Sequence, residues 1–131
     1  VPVRAIALLR EASVFATMPA PPLEAVARRA VWLTLPAETV VIRQGDPGDG
    51  YYVLASGSVR VEQDRHFVRD MAKVGDGFGE IALLRDVVRT ATVTTTETSE
   101  LLAIDRATFL DAVTGHAGAS AEARRLAAER S

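Results

Sequence analysis

Glu80 and Arg89 stand nine residues apart across a short apolar run, in Phe78-Gly79-Glu80-Ile81-Ala82-Leu83-Leu84-Arg85-Asp86-Val87-Val88-Arg89-Thr90-Ala91-Thr92-Val93. These types suit a ligand that carries a phosphate and a hydroxylated sugar. The guanidinium of Arg89 stays charged at physiological pH and can donate two parallel hydrogen bonds to phosphate oxygens. An ionised Glu80 only accepts, so it fits a ribose 2′-hydroxyl and would be left unsatisfied by a deoxy sugar. Gly79 lets backbone approach closely, and a turn through Ile81 to Leu84 offers the unpaired N–H groups and positive dipole end of a helix start. A Glu and an Arg at this spacing with nothing around them would be two solvated surface charges.

The surrounding elements must therefore hold the pair in place. Val3 to Glu11 reads as a short helix, and Pro21-Pro22 opens a second in which Leu23, Val26, Ala27 and Ala30 recur at helical spacing. From Val31 the pattern changes to short β-branched or aromatic runs separated by turn residues: Val31–Leu35, Thr39–Ile42, Tyr51–Leu54 and Ser58–Val61. Phe67-Val68, Met71–Val74, Thr90–Thr94 and Leu101–Ile104 continue the series. Many short, evenly spaced strands predict a mainly β chain with flanking helices, built on an antiparallel, jelly-roll-like β-barrel. Asp105 is placed to cap a helix carrying Phe109, Leu110 and Val113, and Ser120 to cap a last one over Ala121–Arg130. With Leu126 as its only large apolar residue, that last helix would be marginal alone and open to ordering by a ligand.

Composition narrows the function. At 131 residues and 48% hydrophobic content the chain suits a single domain, 1–131, with helices over 1–30, the barrel over 31–104 and helices over 105–131. A net charge of -2 lacks the clustered basic surface that nucleic-acid binding needs. Without cysteine there is no disulfide or thiolate metal site, which fits a cytoplasmic setting. No apolar run reaches the roughly 18 residues of a membrane span, and the first residues lack the charged start and cleavage site expected of a signal peptide. The chain begins with Val1 rather than Met, as expected of a piece excised from a longer protein or of a processed one. Lys73 is its only lysine, and the arginine and alanine bias points to a GC-rich bacterial coding sequence.

Catalytic readings find little support. There is no Gly-x-Ser-x-Gly elbow and no cysteine nucleophile, and His66 and His116 are far apart without a metal-ligand spacing. Gly75-Asp76-Gly77-Phe78-Gly79 has the wrong glycine spacing for a dinucleotide fingerprint. Gln44-Gly45-Asp46-Pro47-Gly48-Asp49-Gly50 is a turn signal that lacks the ligands of a calcium loop. Trp32 and the Tyr51-Tyr52 pair could stack a base, but aromatic residues in strands usually pack.

The run from Phe78 to Val93 resembles the phosphate-binding cassette of cyclic-nucleotide-binding domains: Phe-Gly-Glu, a short apolar run, then Arg and Thr before an apolar strand. The turn at Gln44–Gly50 and the later Ser56-Gly57-Ser58-Val59 are similar to the same family, so the resemblance spans roughly Phe15 to Arg125. It implies a double-stranded β-helix whose C-terminal helices act as a lid, without a cofactor or bound metal. It also implies a cyclic nucleotide held by Phe78, Gly79, Glu80, Ile81, Ala82, Arg89, Thr90 and Ala91. Arg124 falls where some bacterial channel-type members place a lid arginine against the purine, a position suited to cation–π stacking. Thr90 resembles sites that accept guanine, yet similar Arg-Thr cassettes serve adenine, so cyclic AMP is the first expectation and cyclic GMP the second.

Family members couple to kinases, channels, transporters, exchange factors or a helix-turn-helix. The expectation is therefore a bacterial-type sensor module, not an enzyme. It would signal to an effector in a longer parent chain, which could tether it to the inner face of a membrane. The alternative is a nucleotide-independent docking or oligomerisation module with the same fold.

Overall fold

The computed structural model describes residues 2–131. Among them the order is α1 (Val3–Glu11), α2 (Ala20–Arg29), β1 (Val31–Leu35), β2 (Val40–Ile42), β3 (Gly50–Ser56), β4 (Val59–Gln63), β5 (His66–Met71) and β6 (Gly77–Phe78). The chain continues with α3 (Glu80–Arg85), β7 (Thr92–Thr95), β8 (Ser99–Asp105), α4 (Arg106–Gly115) and α5 (Ala117–Arg130). The strands form two four-stranded antiparallel sheets, ordered β1-β8-β3-β6 and β2-β7-β4-β5.

Strand alternation divides the interior into two cores. Tyr51 and Tyr52 are consecutive on β3 and so point to opposite faces. The Tyr51 ring stacks on Phe109 at 4.6 Å and meets Phe15 edge-on at 6.2 Å, in a core shared with α1, α2 and α4. Tyr52 stacks on Phe78 at 5.6 Å, in the core between the sheets with Leu54, Val61, Met71 and Val93. Both tyrosines are thus packing residues. Trp32 is half-buried against the first core, and the Arg4 guanidinium lies 4.2 Å above its ring.

The helices start where their sequences allow. The prolines of α2 sit in its first turn, where the missing N–H would have had no partner. At the head of α4, Asp105 Oδ1 accepts from the Thr108 N–H at 2.7 Å.

Several elements differ from expectation. Residues 71–74 are not a strand of their own: Met71 ends β5, and the chain then turns through Gly75 at φ 93, with the Lys73 N–H donating to Asp76 Oδ2 at 3.1 Å. Phe67-Val68 belongs to that same β5, joined to β4 by Asp64 and Arg65 at φ 53 and 69, the tight hairpin backbone that asparagine, aspartate and glycine usually supply. Thr90 and Ala91 precede β7, and β6 is two residues long, too short to show a period. Helix α5 starts at Ala117, so Ser120 lies buried in its first turn with its N–H on the His116 carbonyl. Ala119, Ala123 and Ala127 form its buried stripe, where small side chains take the place of the large apolar residues the helix lacks.

Candidate functional site

One cavity opens between α3, the end of α5 and the inner face of the sheet that carries β4, β5 and β7. Its wall includes Phe78 through Ala82 and Arg89 through Ala91, so both halves of the run around Glu80 and Arg89 face one space.

Gly79 makes this turn possible. It sits at φ 107 as the N-cap of α3, a region L side chains rarely adopt, and a Cβ there would stand 3.0 Å from both Arg89 Nη1 and the Gly50 carbonyl. Glu80 then begins the helix and points inward, 2% exposed. Its Oε1 accepts from Arg130 Nη1 at 2.5 Å, and the same nitrogen donates to the Gly77 carbonyl at 2.7 Å. Burial pushes the Glu80 carboxyl above the usual carboxylate range; Arg130 and the N–H groups of Ile81 and Glu80 oppose that shift without cancelling it.

Arg89 is 4% exposed and is fixed by three acceptors. Nη1 donates to the Gly79 carbonyl at 2.8 Å; Nη2 donates to the Gly50 carbonyl at 2.7 Å and to Asp49 Oδ1 at 3.1 Å. A guanidinium has five N–H donors, so three are used for positioning and two are left for an anion. The acceptors lie about 40 residues earlier in the chain or at the cassette's own glycine, which is why the arginine keeps one orientation.

Gly77 has a different constraint. A Cβ there would fall 1.9 Å from Tyr51 Oη, so the phenol that anchors the helical core also requires the strand beneath Arg130 to be bare. Burial first, and the Glu80 charge second, push the Tyr51 hydroxyl pKa far up, which keeps it neutral.

The α5 arginine on the cavity wall is Arg130, not Arg124. Arg124 is exposed and turns back to donate to the Ser120 hydroxyl, one helical turn earlier. Through Arg130, the final turn of α5 reaches Glu80 at the start of α3. Val61 and Gln63 on β4 and Val68, Arg69 and Met71 on β5, none of them among the expected site residues, line the opposite wall. Strand alternation signals Val61 and Gln63, but a bulge hides the phase of β5: Val61 pairs with Arg69 and Glu62 with Phe67, so Val68 is the extra residue.

The two antiparallel sheets with flanking helices place a buried carboxylate and a fixed guanidinium on one cavity wall, the arrangement against which the comparisons are set. A family model described as Cyclic nucleotide-binding domain matches residues 32–116, and the chain belongs to that family. It is 41% identical over 78 residues to the cAMP-dependent protein kinase regulatory subunit of Dictyostelium discoideum, covering 53% of this chain and 24% of the relative. A cGMP-dependent protein kinase of Caenorhabditis briggsae is 39% identical over 75 residues, covering 53% of this chain and 10% of the relative. The chain thus spans a quarter or less of the length of these relatives.

Among solved structures, the regulatory domain of Toxoplasma gondii PKA with cAMP aligns with a TM-score of 0.77 at 30% identity, over 82% of this chain and 42% of that one. The sensor domain of the transcriptional regulator DNR from Pseudomonas aeruginosa shares the fold, with a TM-score of 0.85 at 18% identity over 98% of this chain and 89% of that one. The kinase regulatory subunits among these relatives are eukaryotic, so the bacterial type expected from composition finds no support in them.

Proposed function

We propose that this chain is a regulatory sensor module that binds a cyclic nucleotide monophosphate and passes occupancy to an attached effector through its flanking helices. The observation that carries the reading is the shared wall of Glu80 and Arg89: an acceptor for the ribose hydroxyl and a cation with two donors left for the phosphate, both buried and both held. Cyclic AMP is the ligand named with the Toxoplasma neighbour, and cyclic AMP and cyclic GMP satisfy this wall alike because they share the same ribose and phosphate. No catalytic group is needed, and the ligand requires no metal or cofactor.

Helix α5 supports a switch. Its last turn reaches the ribose acceptor directly through Arg130, so ligand and lid meet at one carboxylate. A ligand biases such an equilibrium only by its difference in affinity for the two states. The effector is a separate domain of a parent protein, a kinase-type partner being the case nearest the relatives. A cytoplasmic setting, with a parent chain able to hold the module at the inner face of a membrane, completes the reading. Among the described residues no helix is long and apolar enough to cross a membrane.

Isothermal titration of the 131-residue chain with cyclic AMP and with cyclic GMP tests the reading, with Arg89→Ala as the site control. Binding that Arg89→Ala abolishes supports it; no binding of either nucleotide to folded protein sinks it. The exposed Val87 and Val88 beside the cassette favour the docking module as a second reading. That module would capture its partner without nucleotide and would be indifferent to Glu80→Ala.

A further inference from the structure

The last residue of α5 stands inside the site. Arg130 Nη1 donates to Glu80 Oε1 at 2.5 Å and to the Gly77 carbonyl at 2.7 Å, so one nitrogen ties the end of that helix to the start of α3 and to β6. The other donors to the Glu80 carboxylate are the N–H groups of Ile81 and of Glu80 itself, both on α3. Arg130, which lines the cavity, is therefore the donor that meets this carboxylate from the cavity side. With the guanidinium there, Glu80 is 2% exposed and the cavity measures about 60 Å³, the room of about two water molecules. Pockets that hold small organic ligands start at about 300 Å³.

We infer that Arg130 is an internal competitor for the sugar acceptor, so that the ligand binds by expelling the last turn of α5; the inference rests on the cyclic-nucleotide reading above. A ribose hydroxyl and a guanidinium both donate, and both seek the same carboxylate. Helix end and ligand therefore exclude each other at Glu80. This coupling has the opposite sign to that of a lid that the ligand orders: occupancy frees the end of α5 instead of fastening it.

The helix is built to let go. Its buried positions are Ala119, Ser120, Ala123 and Ala127, side chains that bury little apolar area, so the packing that holds it down is weak. The carbonyls of its last turn have no onward helical partners, which makes that turn the easiest part to open. The pairs of Arg125 with Glu122 and Glu129 lie within α5 and travel with it. Arg89, by contrast, takes its three acceptors from Asp49, Gly50 and Gly79, none of them on α5, so the phosphate contact survives the release.

Titrations of the wild-type chain, Arg130→Ala, Arg130→Lys and Arg124→Ala with cyclic AMP and with cyclic GMP read the sign of the coupling. Arg130→Ala should bind about tenfold more tightly, the gain expected when about a tenth of the wild-type population is open to the ligand. Arg130→Lys keeps a cation for Glu80 and should stay within about threefold of the wild type. Arg124→Ala removes an exposed charge from the same helix, bonded only to Ser120, and should also change affinity by less than about threefold. Hydrogen exchange of the wild type is the second measurement: saturating nucleotide should speed the amides of residues 127–130 about tenfold, which a closing lid would slow. Weaker or unchanged binding by folded Arg130→Ala, or slower or unchanged exchange at those amides, overturns the inference while leaving the nucleotide site standing. Failure of the wild type and of Arg130→Ala alike to bind either nucleotide overturns the cyclic-nucleotide reading itself. The exchange measurement needs no substitution, so it decides even where a variant fails to fold.

Discussion

The two ends of the cavity are built by different means. At the inner end, Glu80 and Arg89 are buried and clamped by backbone carbonyls, an αL glycine and the last turn of α5. At the mouth, Gln63, Val68 and Thr90 are exposed on strand and loop, and Arg69 is half-buried. A phosphate and a ribose are common to every cyclic nucleotide, so the inner end can be rigid and its groups dehydrated in advance. The base varies, and on the proposed reading it would meet the mouth, whose side chains can be exchanged at little cost to the fold.

The sharpest break of this contrast is Arg89→Ala. It removes a buried cation together with donors to Gly50, Gly79 and Asp49. We expect cyclic nucleotide affinity to fall by about 100-fold or more and the unfolding free energy by about 2–4 kcal/mol. Titration and urea unfolding measure the two losses, and a folded variant with wild-type affinity would leave the inner end without its anchor.

Arg130→Ala comes next. It strands the Glu80 carboxylate in a buried site, at a cost of about 3 kcal/mol at neutral pH. The cost should shrink at pH 5, where Glu80 takes up a proton more readily once its cation is gone. Urea unfolding at the two pH values decides, and an equal loss at both would mean that Glu80 does not respond to its burial.

Glu80→Gln has a smaller effect with a definite sign. The native carboxyl holds its proton to a higher pH than the unfolded one, whose pKa is about 4.3. The native state therefore binds more protons in the window above that value, and the stability contributed by this residue falls as pH rises through it. The glutamine variant should lose that slope, as read from unfolding at a series of pH values. It should also bind the ribonucleotide about tenfold more weakly while leaving the 2′-deoxy analogue almost unchanged.

The smallest effect belongs to the mouth. Gln63→Ala should shift stability by less than about 0.5 kcal/mol and affinity by no more than about threefold. A loss as large as that of Arg89→Ala would erase the distinction between the two ends.

Legibility in the sequence follows the same division. The cassette is readable because its working parts lie within one local stretch, where Gly79, Glu80 and the apolar turn dictate a strand, an αL cap and a helix in succession. Asp105 and the Pro21-Pro22 pair marked helix starts because capping is equally local. Ser120 misled, since a serine followed by helix formers looks like a cap wherever it sits, whereas the packing of Ala119, Ala123 and Ala127 carried α5 back to Ala117. Arg124 misled because the turn of α5 that faces the cavity depends on how the helix lies on α3 and α4, which no local pattern shows.

Local chemistry along the chain was enough to specify an antiparallel β fold and to single out Glu80 and Arg89, which share one cavity wall. Backbone preferences and side-chain periodicity act over a few residues and survive in any context that lets the element form. The identity of the α5 arginine, the Asp49 and Gly50 grip on Arg89, and the turning of Arg69 into the cavity were settled only in three dimensions. Each joins segments far apart in the chain or depends on a one-residue bulge, and a strand's phase relative to its neighbour exists only once the two are paired.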